Sequence, residues 1–306
     1  MRDGLFPLCL NVLGGFLTVL IIDCGRWVVR LLHKRSFRHI FGQDGTSDLH
    51  LVYAELALPA VFDADRKLIE RPYTKPDVKG AHFSIDRPVS SSEFRATSYL
   101  AQSMGAHSGQ PPRLASDHDL AGRLDLSFIA FGGPLSNLKT QDALSNAGND
   151  LLDFDNDVFF AKASRRPVIV PRAGFDYGLI LKLHPSQFTN RTWLVCAGRG
   201  EWGTSGAAWY LSQKWPDIHR RAGQGPFAVV VQVKPGQDES AEQVVAVMTQ
   251  SDAERYGDAV GKESVSDATW PAHVGSAASG FFGLDDPDGL LKDRSPAGKP
   301  PAKRRE

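Results

Sequence analysis

The chain predicts an α/β fold built on an open sheet. Three observations carry that expectation. Apolar, β-branched runs recur at residues 49–58, 123–133, 177–183, 193–197 and 227–233. Stretches with helical spacing lie between them. Two of the runs, 123–133 and 193–197, end in a glycine-rich turn that leads into a helical stretch. A length of 306 residues suits one large domain with tails, and 42% hydrophobic against 23% charged residues is the balance of a chain with a sizeable core. The 35 basic and 35 acidic residues cancel, so no basic excess marks a dedicated nucleic-acid binder. Cys9, Cys24 and Cys196 are odd in number and include no Cys-x-x-Cys pair. They form neither a disulfide framework nor a zinc ribbon, and a reducing compartment fits the main domain.

Residues 5–22 carry no charge, and their length is at the short end of the ~20 residues a membrane span needs. Arg26, Arg30, Lys34, Arg35 and Arg38 follow, interleaved with Trp27, Val28, Val29, Leu31 and Leu32, whereas Arg2 is the one basic residue on the other side. This asymmetry reads as an N-terminal transmembrane helix, single-pass in the cell membrane, with the main domain cytoplasmic. The basic stretch reads as a juxtamembrane helix in contact with membrane lipid. The rival readings are a cleaved signal peptide and a buried core helix. The first lacks a small-x-small cleavage site; the second draws support from Pro7 and Gly14-Gly15. The division expected is an anchor over 1–42, an α/β domain over 43–250 and a flexible tail over 251–306.

Within the domain, residues 49–58 read as a strand ended by Pro59, and 59–88 as proline-rich loop with a short strand at 81–85. Ser90 and Glu93 have capping-box spacing and open a helix to Met104, stopped by Gly105, with Phe94, Thr97, Ala101 and Met104 on its inner face. Residues 113–116 suggest a short strand. Asp117-His118-Asp119 is too local to converge on a metal, and no metal or cofactor is expected. The run 123–133 is the best strand of the first half, followed by a helix over 138–146 capped by Ser136 or Asn137. Residues 147–166 read as an irregular connection. The runs at 177–183 and 193–197 are close enough to form a hairpin, which leaves room for a mixed sheet. A helix over 207–215 breaks at Pro216. Residues 227–233 and 243–248 form a second hairpin around the turn at Pro235 and Gly236.

The chemistry gathers at the two glycine turns. One holds Gly132, Gly133, Ser136 and Asn137; the other holds Gly198, Arg199, Gly200, Glu201, Trp202, Gly203, Thr204 and Ser205. A helix N-terminus offers unpaired N–H groups and partial positive charge to an anion. Two such turns on neighbouring strands would form a ligand crevice, with the hydroxyl and amide side chains adding hydrogen bonds, Arg199 meeting a phosphate and Trp202 stacking on a base. The plainer reading is that the glycines allow only tight strand-to-helix turns.

Gly132-Gly133-Pro134 after one strand and Gly200-Glu201-Trp202-Gly203-Thr204 after another resemble the Rossmann-like nucleotide-binding domains of the lysine-decarboxylase-like (LOG/SLOG) and nucleoside deoxyribosyltransferase-like families. The resemblance spans about residues 113–233. It implies a Rossmann-like fold and a place among phosphoribohydrolases or bacterial signalling and defence sensors, some of them membrane-attached. The phosphoribohydrolase pattern Gly-Gly-x-Gly-Thr-x-x-Glu is altered here: Glu201 stands at its second glycine and Ala207 at its closing glutamate. The leading expectation is therefore a membrane-anchored sensor or effector domain that binds a nucleotide-like or phosphorylated ligand. The alternatives are a hydrolase of N-glycosidic bonds in a nucleotide or NAD, with Glu201 as its carboxylate, and a protein-interaction domain with Trp202 and Trp209 as anchors. A homo-oligomer is compatible with each. Cys196 reads as a small buried hydrophobe.

Overall fold

Strands whose residues are apolar on both sides need cover on both faces, and this chain supplies it with helices before, between and after them. The computed structural model describes residues 5–42, 49–56, 88–108 and 112–266, with side chains left out at residues 5–19, 21, 26, 30 and 262–266. The expected proline-rich loop, its short strand at 81–85 and the tail beyond residue 266 lie outside the described residues. In order, the elements are α1 (Leu5–Phe41), β1 (Leu49–Tyr53), α2 (Ser91–Ser108), β2 (Arg113–Ser116), β3 (Ser127–Phe131), α3 (Leu138–Ser145), β4 (Leu152–Asp155), β5 (Val158–Ala161), β6 (Asp176–Leu183), β7 (Trp193–Gly198), α4 (Glu201–Ala222), β8 (Phe227–Lys234), β9 (Gln237–Val247) and α5 (Gln250–Ser266). Residues 1–262 form one compact unit; a second, residues 263–306, lies almost wholly outside the described residues.

Seven strands make one open sheet in the order β2-β1-β3-β7-β6-β8-β9. The pairs β1–β2, β1–β3 and β3–β7 are parallel. The pairs β6–β7, β6–β8 and β8–β9 are antiparallel. The sheet is thus Rossmann-like and mixed, with a parallel core. Both expected hairpins are present, β6–β7 and β8–β9. Since β6 opposes both neighbours, β8 runs with β7, and α4 is the crossover that spans β6. Central strands alternate between two apolar layers: Trp193, Val195 and Ala197 enter one, Leu194 and Cys196 the other. The first layer includes α3 and the β4–β5 hairpin; the second includes α1, α2 and α4.

Several elements differ from expectation for identifiable reasons. Residues 152–161 form a hairpin, not an irregular connection. Its turn residues Asn156 and Asp157 have φ of 47° and 61°, the left-handed pair that a two-residue turn requires and that Asn and Asp tolerate. Helix α4 runs straight through Pro216. Proline cannot donate to the Ser212 carbonyl one turn back, and the Ser103 hydroxyl of α2 donates to it instead at 3.3 Å. Helix α2 continues past Gly105 to Ser108, and its buried residues are Ser92, Glu93, Ala96, Leu100, Ser103 and Met104, while Phe94 is 71% exposed. The expected tail begins as helix α5, with Ala253 in the core, so the ordered domain extends beyond residue 250.

Helix α1 has 37 residues, a length of ~56 Å at 1.5 Å per residue. Its last turns belong to the domain, with Phe37, Ile40 and Phe41 buried. Upstream, Leu20, Ile22, Trp27, Val28, Val29, Leu31 and Leu32 are all exposed. Among the described residues no helix is long and apolar enough to cross a membrane; the side chains of residues 5–19, on which the expected span chiefly falls, lie outside them.

Candidate functional site

Ligand crevices of open α/β sheets form where neighbouring parallel strands send their helices to opposite faces of the sheet. Here that point lies between β1 and β3. Helix α2 packs in the layer with Leu49 and Ile129, and α3 packs in the layer with Phe128 and Ala130. The segments bordering it are residues 54–56 after β1, residues 88–93 entering α2, and the turn 132–137 after β3.

A carboxyl group sits at this junction. Glu93 is 3% exposed, and its Oε2 accepts the Ala54 N–H at 2.7 Å. A Cβ placed on Gly132 would lie 2.7 Å from Glu93 Oε1 and 2.9 Å from Ser136 Oγ, and Gly132 has φ +96°. Only glycine permits both that backbone and that approach. Burial pushes the Glu93 carboxyl up to about 8, with the Asp117 carboxylate adding to the rise and the Ala54 N–H opposing it. At neutral pH Glu93 is therefore mostly protonated, able both to donate and to accept. The capping-box spacing concealed this: Glu93 reaches across to the end of β1. The signal that could have found it is a glutamate near a helix start just ahead of a parallel strand order.

The α3 turn is closed from within. Asn137 is fully buried; its Oδ1 accepts from Lys139 N (2.9 Å) and Thr140 N (3.3 Å), and its Nδ2 donates to the Val52 and Phe131 carbonyls. Asp117 takes Leu138 N at 3.0 Å and Glu55 N at 2.9 Å. Asn137 caps α3, as one expectation had it, and ties β1 to β3. Ser136 is exposed and its hydroxyl donates to the Gly133 carbonyl; Gly133 is half-buried.

The α4 turn is closed in the same way by a residue the sequence did not single out. Asp176, at the start of β6, accepts Gly200 N at 3.1 Å and Gly203 N at 2.7 Å. The antiparallel pairing of β6 with β7, Gly178 opposite Gly198, brings it there. A carboxylate thus already stands where the helix dipole and free amides would hold an anion. The glycines here serve close packing. A Cβ on Gly203 would collide with the Tyr177 carbonyl, one on Gly178 with the Gly203 carbonyl, and one on Gly198 with the first turn of α4.

The remaining candidates fall as follows. Glu201 is exposed on the first turn of α4, and Thr204 and Ser205 are buried. Ser205 Oγ donates to Asp238 Oδ1 at 2.5 Å, and Asp238 Oδ2 also receives Arg95 Nε (3.1 Å) and the Tyr99 hydroxyl (2.9 Å). Arg95 lies over the Trp202 ring at 4.2 Å, so a guanidinium covers the indole face expected for a base. Arg199 is half-buried, and its Nε is buried with no hydrogen-bond partner among the described residues. The two turns do lie on neighbouring parallel strands, since β3 pairs with β7. Among the described residues no group of three metal-ligating side chains exists. Cys196 is fully buried, and burial pushes its thiol up, away from nucleophilic use.

Comparison with family models, curated proteins and solved structures gives no match. The resemblance to the LOG/SLOG and deoxyribosyltransferase-like domains therefore rests on the strand–turn–helix form alone. What stands is the open, mixed α/β sheet with its parallel core.

Proposed function

We propose that the chain is a membrane-tethered module that binds a small nucleotide-like ligand at the carboxyl ends of β1 and β3. The observation that carries this reading is the buried Glu93 carboxyl under Gly132 at the point where α2 and α3 diverge. A neutral carboxyl presents one donor beside one acceptor, which matches the polar edge of a nucleobase. Phe94 at 71% exposure on the first turn of α2 and Leu135 at 99% in the turn after β3 supply apolar area for a flat ring. Because the chain's own side chains take Leu138 N, Lys139 N and Thr140 N at α3 and Gly200 N and Gly203 N at α4, the nucleoside part of the ligand, more than a phosphate, is what this reading assigns to the site.

The tether draws support from α1. Apolar side chains from Leu20 to Leu32 are exposed over more than half of its circumference, ahead of the basic Lys34, Arg35 and Arg38. A surface of that kind suits lipid, with Trp27 at the headgroup level and the domain on the cytoplasmic side.

A hydrolytic reading is favoured by one observation, the raised Glu93 carboxyl, which suits a general acid better than the exposed Glu201 does. Its proton would pass to the departing base nitrogen as the glycosidic C–N bond breaks. Water would add its hydroxyl to the anomeric carbon and return its proton to Glu93.

The test uses the full chain in detergent with nucleosides, nucleoside monophosphates, cyclic nucleotides and NAD, reading thermal shift and base release together. A shift without release that is lost in Glu93→Leu supports the binding module. Base release lost in Glu93→Gln transfers the assignment to the hydrolase. No shift with any of these compounds ends the nucleotide-like reading. Recovery of the chain in the soluble fraction without detergent ends the tether.

A further inference from the structure

The domain grips α1 through histidines. On the α2–α4 side, His33 lies 5.2 Å from the His107 ring and 4.7 Å from Trp215, and His107 lies 5.4 Å from Trp215. Phe37 fills the space between them, 5.1 Å from His107 and edge-on to Trp215 at 5.2 Å. Two turns on, His39 Nδ1 stands 3.0 Å from His219 Nε2, and Gln224 Nε2 stands 3.0 Å from His39 Nε2. Beneath them Lys182, fully buried on β6, donates to the His39 carbonyl at 2.5 Å and to the Gln224 carbonyl at 2.9 Å.

We propose that these contacts form a histidine latch, which holds α1 on the domain while the rings are neutral and releases it on acidification. The hydrogen-bond chain runs in one direction. The Gln224 amide donates to His39 Nε2, and His39 Nδ1–H donates to His219 Nε2. Protonating His39 at Nε2 removes the acceptor for Gln224, and protonating His219 at Nε2 removes the acceptor for His39. The charged groups facing the pair add to the penalty. These are Arg35 on α1 and Lys182 on β6. Asp217, on α4 beside His219, is engaged by Arg220 at 3.0 Å. His107 faces His33 across the α1–α2 contact. Burial lowers His39, His107 and His219 below 6.5, with their cationic or titratable neighbours adding to each shift. The docked state binds fewer protons than the released one, so docking is complete above pH 6.5 and weakens as pH falls below it. The latch rests on the α1 contacts and not on the ligand reading, so either can fail alone.

The test places spin labels at Lys34 and Lys214 of the full chain in detergent, with Cys9 and Cys24 replaced by serine. Distances are measured by pulsed electron resonance from pH 7.5 to 5.0. The expected result is one short distance at pH 7.5 and a longer, broader population that exceeds half of the molecules by pH 5.0. Glutamine at His33, His39, His107 and His219 together should hold the short distance across the range. If that variant lacks native circular dichroism at pH 7.5, the double variants His33→Gln/His107→Gln and His39→Gln/His219→Gln replace it, and each should reduce the long population at least twofold. An unchanged distance in the parent chain, or undiminished release in the glutamine variants, overturns the latch.

Discussion

Replacing Asp176 with alanine tests whether the α4 amides are already occupied. The carboxylate accepts Gly200 N and Gly203 N from the loop and the first turn of a 22-residue helix, and also its own neighbour Tyr177 N at 2.7 Å. Losing an N-terminal capping acceptor costs about 1 kcal/mol. Losing a negative charge at the helix N-terminus removes a further ~0.3–1 kcal/mol. The expected loss is thus about 2 kcal/mol, which for a domain of this size lowers Tm by about 4–8 °C. Asp176→Asn keeps an acceptor without the charge and should fall between parent and alanine variant. The freed amides then become an anion site, so sulfate should stabilise Asp176→Ala more than it stabilises the parent at equal concentration; taking that difference removes the general salting effect of sulfate. Differential scanning calorimetry gives both readings. A Tm within about 1 °C of the parent for Asp176→Ala, or equal sulfate responses in the two proteins, would refute the argument that this carboxylate closes the turn.

Three further outcomes follow from the same geometry. Gly203→Val puts a branched side chain into the Tyr177 carbonyl and separates α4 from β6; the loss should exceed ~3 kcal/mol, read as a collapse in soluble yield or in denaturant midpoint. Glu93 holds a proton in the folded chain up to about pH 8 that the unfolded chain releases near 4.5, so its contribution is fully present below pH 4.5 and is lost as pH rises through 8. Glu93→Gln should flatten the stability profile across that window, by a few kcal/mol at most, on the order of what linkage allows; a parallel profile in the variant would show that Glu93 titrates normally. Lys182→Met removes the charged donor to the His39 and Gln224 carbonyls and should lower stability by about 1–3 kcal/mol in urea melts, with increased hydrogen exchange at the end of α1; exchange unchanged there would mean that Lys182 does not tie α1 to the domain.

What the sequence made legible was local. The runs that became β3, β6, β7 and β8 are apolar because central strands are buried on both faces, and their composition alone identifies them. Glycine before a helix marked both turns. The role of those glycines was not legible, because a glycine that admits a ligand and one that admits a carbonyl look alike in sequence. Gly203 admits the Tyr177 carbonyl, and Gly132 admits the Glu93 carboxyl. Asp176 was invisible for a related reason: it lies far upstream of the loop it closes, and only the β6–β7 register brings the two together. Glu93 was visible but misread, since helix-capping spacing is satisfied by a residue that bonds elsewhere. The Asp155–Val158 turn was missed because its left-handed residues are Asn and Asp and not glycine.

These closures bear on the proposed ligand. An amide cradle for phosphate needs free N–H groups, and here Asp117 and Asn137 have taken Leu138 N, Lys139 N and Thr140 N at the start of α3, and Asp176 has taken Gly200 N and Gly203 N at the start of α4. Two of those three partners are carboxylates, so a phosphate at either turn meets like charge. In the proposed reading the ligand is instead a neutral, hydrogen-bonding ring, which loses little on approach and meets protonated Glu93, whose Oε2 also accepts the Ala54 N–H. Glu93 remains protonated because it is buried beside Asp117, and it remains buried because Gly132 has no side chain to displace it. The three features depend on one another: substitution at Gly132 would displace the carboxyl towards water, lower its affinity for the proton and add a second negative charge beside Asp117. The proposed recognition at the junction therefore rests on the backbone of the β3 turn as much as on the acid beneath it.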